Sequence, residues 1–97
     1  MKYCKELKAG DLVFVSYTNL LLPAIFLDVG LRGNPRFYLL VKARIEHFRQ
    51  HGGVYRDYIT RKSWGKSIVK VRPEDVDDSI RDMYEEFINL LREKGKL

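Results

Sequence analysis

The sequence predicts a mainly β chain: a small five-stranded barrel over residues 8–76, capped by one C-terminal amphipathic helix over residues 79–94. Three observations predict it. Leu12 to Tyr17 alternates as a strand should, with Leu12, Phe14 and Ser16 on one side and Val13, Val15 and Tyr17 on the other. Turn formers at Gly10-Asp11, Gly30 to Pro35, Gly52-Gly53 and Pro73 separate short apolar runs. Finally, Ile80, Met83, Tyr84, Phe87, Ile88 and Leu91 recur at helical spacing. With 97 residues, the chain is expected to form one domain with a single core.

The first strand follows Gly10-Asp11, and Thr18-Asn19 begins a loop. Pro23 lacks a backbone donor, so it is expected at a strand's first residue or on an edge. Ala24 to Val29 then reads as the second strand, ended by Gly30. Arg36 to Arg44 alternates and reads as the third strand. A helix competes for that stretch, because Phe37, Val41, Ile45 and Phe48 also have helical spacing. The strand is preferred because Pro35 and the neighbouring strands fit a continuous meander. His51-Gly52-Gly53 would then be a hairpin tip, with Val54 to Thr60 as the returning arm. Arg61 to Lys66 reads as a polar turn, Ser67 to Arg72 as a short strand, and Pro73 to Val76 as a single helical turn. Tyr3 and Leu7 are expected to cover one end of the barrel.

The terminal helix carries its own signals. Ser79 is expected to cap it, with Asp82 returning the bond. Asp77 and Asp78 favour its positive end, Lys94 favours its negative end, and Gly95 is a natural stop. The helix is expected to close one open end of the barrel.

Charge is unevenly spread. The net charge is +5. Residues 1–31 balance to zero, with three lysines against three acids. Residues 32–72 carry eleven Lys or Arg against Glu46 and Asp57, a net of +9. Residues 73–97 carry four basic side chains against eight acidic ones, a net of −4. That asymmetry predicts a polyanion-facing middle. The longest apolar run, Leu20 to Leu27, is far short of the roughly 20 residues of a membrane helix. Residues 1–5 lack a signal peptide's apolar region, and Cys4 is the single cysteine. These features predict an intracellular, cytoplasmic chain without internal disulfides.

Chemistry-bearing motifs are sparse. Gly65-Lys66-Ser67 lacks the earlier glycine of a phosphate-binding loop, because Thr60 stands there, and no helix is expected after it. His47 and His51 are four apart. On a helix they could share a metal; on the expected hairpin they flank a turn, and no further ligand completes a site. No metal, cofactor or catalytic residue is therefore expected. Paired carboxylates occur only on the terminal helix, as Glu85 and Glu86, or in its acidic cap.

Gly10-Asp11-Leu12-Val13 and Pro23-Ala24-Ile25 resemble the start of SH3-like barrels, and the run from Val71 to Val76 is similar to the strand and turn that close them. One similar group is the Tudor, PWWP and KOW barrels of chromatin and nucleic-acid binders; the following helix suits the PWWP arrangement. This resemblance implies a basic surface that faces DNA or RNA. Leu21-Leu22-Pro23 stands where a PWWP domain has its name-giving aromatic pair. The other group is the MazF-like ribonucleases, which also begin with Gly-Asp and a strand entering through Pro-Ala. They usually carry an arginine before that proline, where this chain has Leu22. Short barrels without catalytic residues also look like accessory proteins of phages and other viruses.

The leading expectation is a non-catalytic nucleic-acid-binding module. Arg44, Arg49, Arg56, Arg61, Lys62 and Lys66 would contact phosphate, and Tyr58 and Trp64 would stack on bases. The alternative is a protein-interaction module, an inhibitor or adaptor of an acidic partner, that uses Leu20, Leu21 and Leu22. Those leucines discriminate: exposed, they form an apolar patch for which nucleic acid has no use. A MazF-like ribonuclease is a third reading.

Overall fold

A computed structural model of the chain describes residues 7–17, 19–30, 33–51, 57–58 and 68–97. The elements are β1 (Leu12–Tyr17), β2 (Leu20–Val29), β3 (Pro35–Leu39), α1 (Lys42–His51), β4 (Asp57–Tyr58), β5 (Ile68–Lys70), a 3-10 turn (Pro73–Asp75) and α2 (Asp78–Glu93). Four strands make the body of an antiparallel sheet, with the two-residue β4 on one edge, in the order β4-β3-β2-β1-β5. Among the described residues the fold is therefore mixed, a β-sheet with two helices.

β1 and β2 form one long hairpin. Tyr17 pairs with Leu20, and Asn19 takes a positive φ of 66° in the tight connection, a conformation that asparagine tolerates better than most residues. The second strand thus starts at Leu20 rather than Ala24, and residues 20–22 are strand rather than loop. Pro23 lies inside β2, opposite Phe14. Its carbonyl accepts from the Leu40 amide at 2.8 Å, on the β3 side. Strand N–H and C=O groups of one residue point to the same side, so the missing Pro23 donor also falls there and costs no bond to β1.

The same geometry decides the stretch that the pattern alone read as strand. Pro23 cannot return a bond to Leu40, so the β2–β3 ladder stops and β3 ends at Leu39. The expected strand through Arg44 is overturned. Lys42-Ala43-Arg44 are good helix formers, and Val41, Ile45 and Phe48 now recur on one helical face. The amides of Arg44 and Ile45 both donate to the Val41 carbonyl. The hairpin tip expected at His51 is likewise replaced by the last residue of α1; Gly52 and Gly53 lie outside the described residues.

Each face of the sheet carries a buried cluster. On one, Leu12, Ile25, Tyr38 and Leu40 pack with Ile45 and Phe48 of α1 and Phe87, Ile88 and Leu91 of α2. Tyr38, Phe48 and Phe87 meet pairwise at ring-centroid distances of 5.2–5.7 Å, at tilted and edge-on angles that suit aromatic quadrupoles. On the other face, Val13, Val15, Ala24, Phe26, Phe37, Leu39 and Ile68 form a second cluster, against which Leu7, Leu22 and Val41 pack. The terminal helix therefore lies on a sheet face, beside a second helix that the pattern did not prefer.

The stripe expected on α2 is the one that packs, but the capping residue differs. Asp77, not Ser79, accepts from the Ile80 amide at 3.0 Å, and the Ser79 hydroxyl donates to the same carboxylate. At the other end, Gly95 takes φ 71°, its amide bonds Arg92, and the Lys96 amide bonds Leu91, a Schellman ending.

Candidate interaction surface

The β1–β2 hairpin projects beyond its neighbour. β3 pairs with β2 only from Ala24 onwards, so among the described residues no strand lies beside Leu20–Leu22 on that side. Leu20 and Leu21 are 59% and 67% exposed. Alternation places them on opposite faces of the sheet. Leu22 is half-buried and packs on the second core cluster. The three leucines that the sequence groups together are thus two exposed residues and one structural residue.

Leu21 has apolar company. Phe14, Pro23 and Val69 share its sheet face through the pairs Phe14–Pro23 and Phe14–Val69. Phe14 and Pro23 are half-buried, and Val69 is 47% exposed. The helices cover the Leu12 end of this face and leave the hairpin end open. Sequence reasoning missed Phe14 and Val69; the signal was the same-side position of Phe14 with Leu12 on β1.

The expected cationic site is only partly placed. Arg44 and Arg49 lie on α1, not on a strand or hairpin loop. Arg49 is ion-paired to Glu46 and, across to α2, to Glu86. Tyr58 falls in β4, where its backbone pairs with Arg36. Arg56, Arg61, Lys62, Trp64 and Lys66 lie outside the described residues. Other described cations are also paired. Arg36 grips Asp28 through two hydrogen bonds of 2.6 and 2.9 Å, which push its guanidinium pKa up. Lys70 reaches Asp11 at 3.4 Å, Arg72 meets Asp75, and Arg81 meets Asp78. Two other aromatics of the basic stretch 32–72, Tyr38 and Phe48, are core residues and not available for stacking.

Among the described residues no group of three or more His, Cys, Asp or Glu is arranged to hold a metal ion, and no helix is long and apolar enough to cross a membrane. Comparison with known protein families, curated proteins and solved structures finds no match. The functional reading therefore rests on the geometry of this chain.

Proposed function

We propose that this chain is a small, non-catalytic binding module that docks a protein partner through the end of the β1–β2 hairpin. The exposure of Leu20 and Leu21 beyond the end of β3 carries the reading. A paired strand holds their backbone rigid, so little is lost in ordering it on binding. Because the two leucines point to opposite faces, the complementary surface is an apolar groove that embraces the hairpin rather than a flat patch. The net charge of +5 favours an acidic rim around that groove. The buried Val13–Val15–Ala24–Phe26–Phe37–Leu39–Ile68 cluster on the second face supports a sheet that curls on itself as an SH3-like barrel, with the helices outside it.

A second reading is nucleic-acid binding through the +9 stretch of residues 32–72. The charge segregation favours it; the pairing of Arg36, Arg49, Lys70 and Arg72 with acids weighs against it.

The readings separate in one pair of experiments. The wild-type chain and a Leu20→Asp/Leu21→Asp double variant are each used to capture partners, and each is titrated against labelled DNA and RNA over a salt series. Capture of a defined protein by the wild type and its loss in the variant supports hairpin docking. Equal, strongly salt-dependent nucleic-acid binding by both proteins overturns it in favour of the basic surface.

A further inference from the structure

We infer that the concavity between the turn before β1 and the C-terminal end of α2 binds a small organic monocarboxylate with an apolar body. The site is separate from the hairpin, and the inference does not rest on the docking reading. The concavity measures about 460 Å³. Sites for small molecules run from roughly 300 to 1,000 Å³. Its two walls are tied together: the Tyr84 hydroxyl donates to the Gly10 carbonyl at 2.7 Å, and the Gly10 amide donates to the Phe26 carbonyl at 2.8 Å. The shape therefore exists before any ligand arrives. Gly10 has φ 96°, and a Cβ there would stand 3.8 Å from the Leu97 side chain and 3.9 Å from that of Ile88. The glycine leaves open the space that a side chain would fill.

The lining sets the chemistry. Arg92 and Lys96 supply two cations, and Ile88 and Leu97 supply apolar surface. Arg36, Arg49, Arg72 and Arg81 are each held by a carboxylate, but among the described residues no carboxylate is paired with Arg92 or Lys96. Nor does the helix end need these two side chains. The Leu90, Leu91 and Arg92 carbonyls already accept from the amides of Lys94, Lys96 and Gly95. Two cations beside an apolar surface favour a ligand with an anionic head and an apolar body. Asp11 decides the charge of that head. Its carboxylate also lines the concavity, where it accepts from the Lys8 amide at 2.8 Å and lies 3.4 Å from the Lys70 ammonium. Burial and then the Asp11 charge raise the Tyr84 pKa, and the Arg92 charge lowers it, which sets both charges near that hydroxyl. A fixed carboxylate there opposes a dianionic phosphate more than a singly charged head. The planar guanidinium of Arg92 also matches the two oxygens of a carboxylate.

The test uses the full chain, labelled with nitrogen-15, and three probes of equal apolar length: hexanoate, hexanol and hexyl phosphate. Each is titrated at neutral pH while the backbone amide shifts are followed. Hexanoate should give saturable shifts centred on Gly10, Asp11, Arg92 and Lys96, with Leu20 and Leu21 unmoved. Hexanol, which lacks the charge, should bind at least tenfold more weakly, and hexyl phosphate should bind more weakly than hexanoate. Arg92→Gln should weaken hexanoate at least tenfold. Lys94→Gln, which removes a cation of the same helix end that does not line the concavity, should leave binding unchanged. Arg92 and Lys94 are exposed, so both variants are expected to keep the fold, which the dispersion of the amide spectrum checks. No saturable shift, shifts centred on the hairpin, or equal losses in Arg92→Gln and Lys94→Gln overturn the site. Hexanol or hexyl phosphate bound as tightly as hexanoate overturns the monocarboxylate class.

Discussion

The Leu40 amide donates to the Pro23 carbonyl at 2.8 Å, and Pro23 has no amide with which to return the bond. This one-sided pair ends the β2–β3 ladder, frees the chain to turn into α1, and leaves Leu20–Leu22 as a strand without a neighbour on that side among the described residues. Pro23→Val restores a donor aimed at the Leu40 carbonyl. The expected change in stability is between zero and a gain of about 1 kcal/mol, the net worth of one hydrogen bond. Amide exchange at position 23 of the variant reads the result directly. Fast exchange there would show that the ladder stops for another reason.

The leucine triplet should split by position. Leu20→Asp and Leu21→Asp are expected to change stability by less than about 0.5 kcal/mol each, as surface substitutions do. Leu22→Asp should cost about 2 kcal/mol or more, because it places a carboxylate against the Val13–Val15–Phe26 cluster. Denaturant melts of the three variants decide it; equal costs would mean that the exposed pair is also structural.

β1 and the terminal helix were legible because each has a single period. Val13 and Val15 alternate cleanly with Leu12 and Phe14, and Phe87, Ile88 and Leu91 repeat at one helical stripe. Residues 37–48 were not, since Phe37, Val41 and Ile45 satisfy both periods at once. What resolves them is a missing hydrogen bond to Pro23, on the preceding strand, which no local window contains. The cap was misread because Asp77 and Ser79 are both good cap residues two apart. Of the candidate site, the exposed leucines were visible only as a conditional. Whether the cations were free depended on partners such as Glu86, distant in sequence from Arg49.

Tyr84 ties α2 to the turn before β1, its hydroxyl donating to the Gly10 carbonyl at 2.7 Å. Burial raises its pKa first, and the nearby Asp11 carboxylate raises it further. Tyr84→Phe should cost about 1 kcal/mol at neutral pH. A raised folded-state value means that the stability is complete below the ordinary phenol value of about 10 and is lost as pH rises through the higher folded one. The gap between wild type and Tyr84→Phe should therefore narrow in alkali. Thermal melts from pH 7 to pH 11 test this, and a constant gap would remove the phenol from the linkage.

Asp77 gives the opposite dependence. Its carboxylate accepts first from the Ile80 amide and then from the Ser79 hydroxyl, and both bonds hold its pKa below the ordinary value. A lowered folded-state pKa contributes stability above the unfolded value of about 3.9, and that stability is lost as pH falls through the folded one. Asp77→Ala should lower the melting temperature at pH 7, with the difference from wild type shrinking below about pH 4. Ser79→Ala should do much less, because Ser79 supports the cap rather than forming it. If Ser79→Ala destabilises α2 as much as Asp77→Ala does, the cap lies where the capping-box pattern placed it, and Asp77 acts only through the charge it brings to the helix N-terminus.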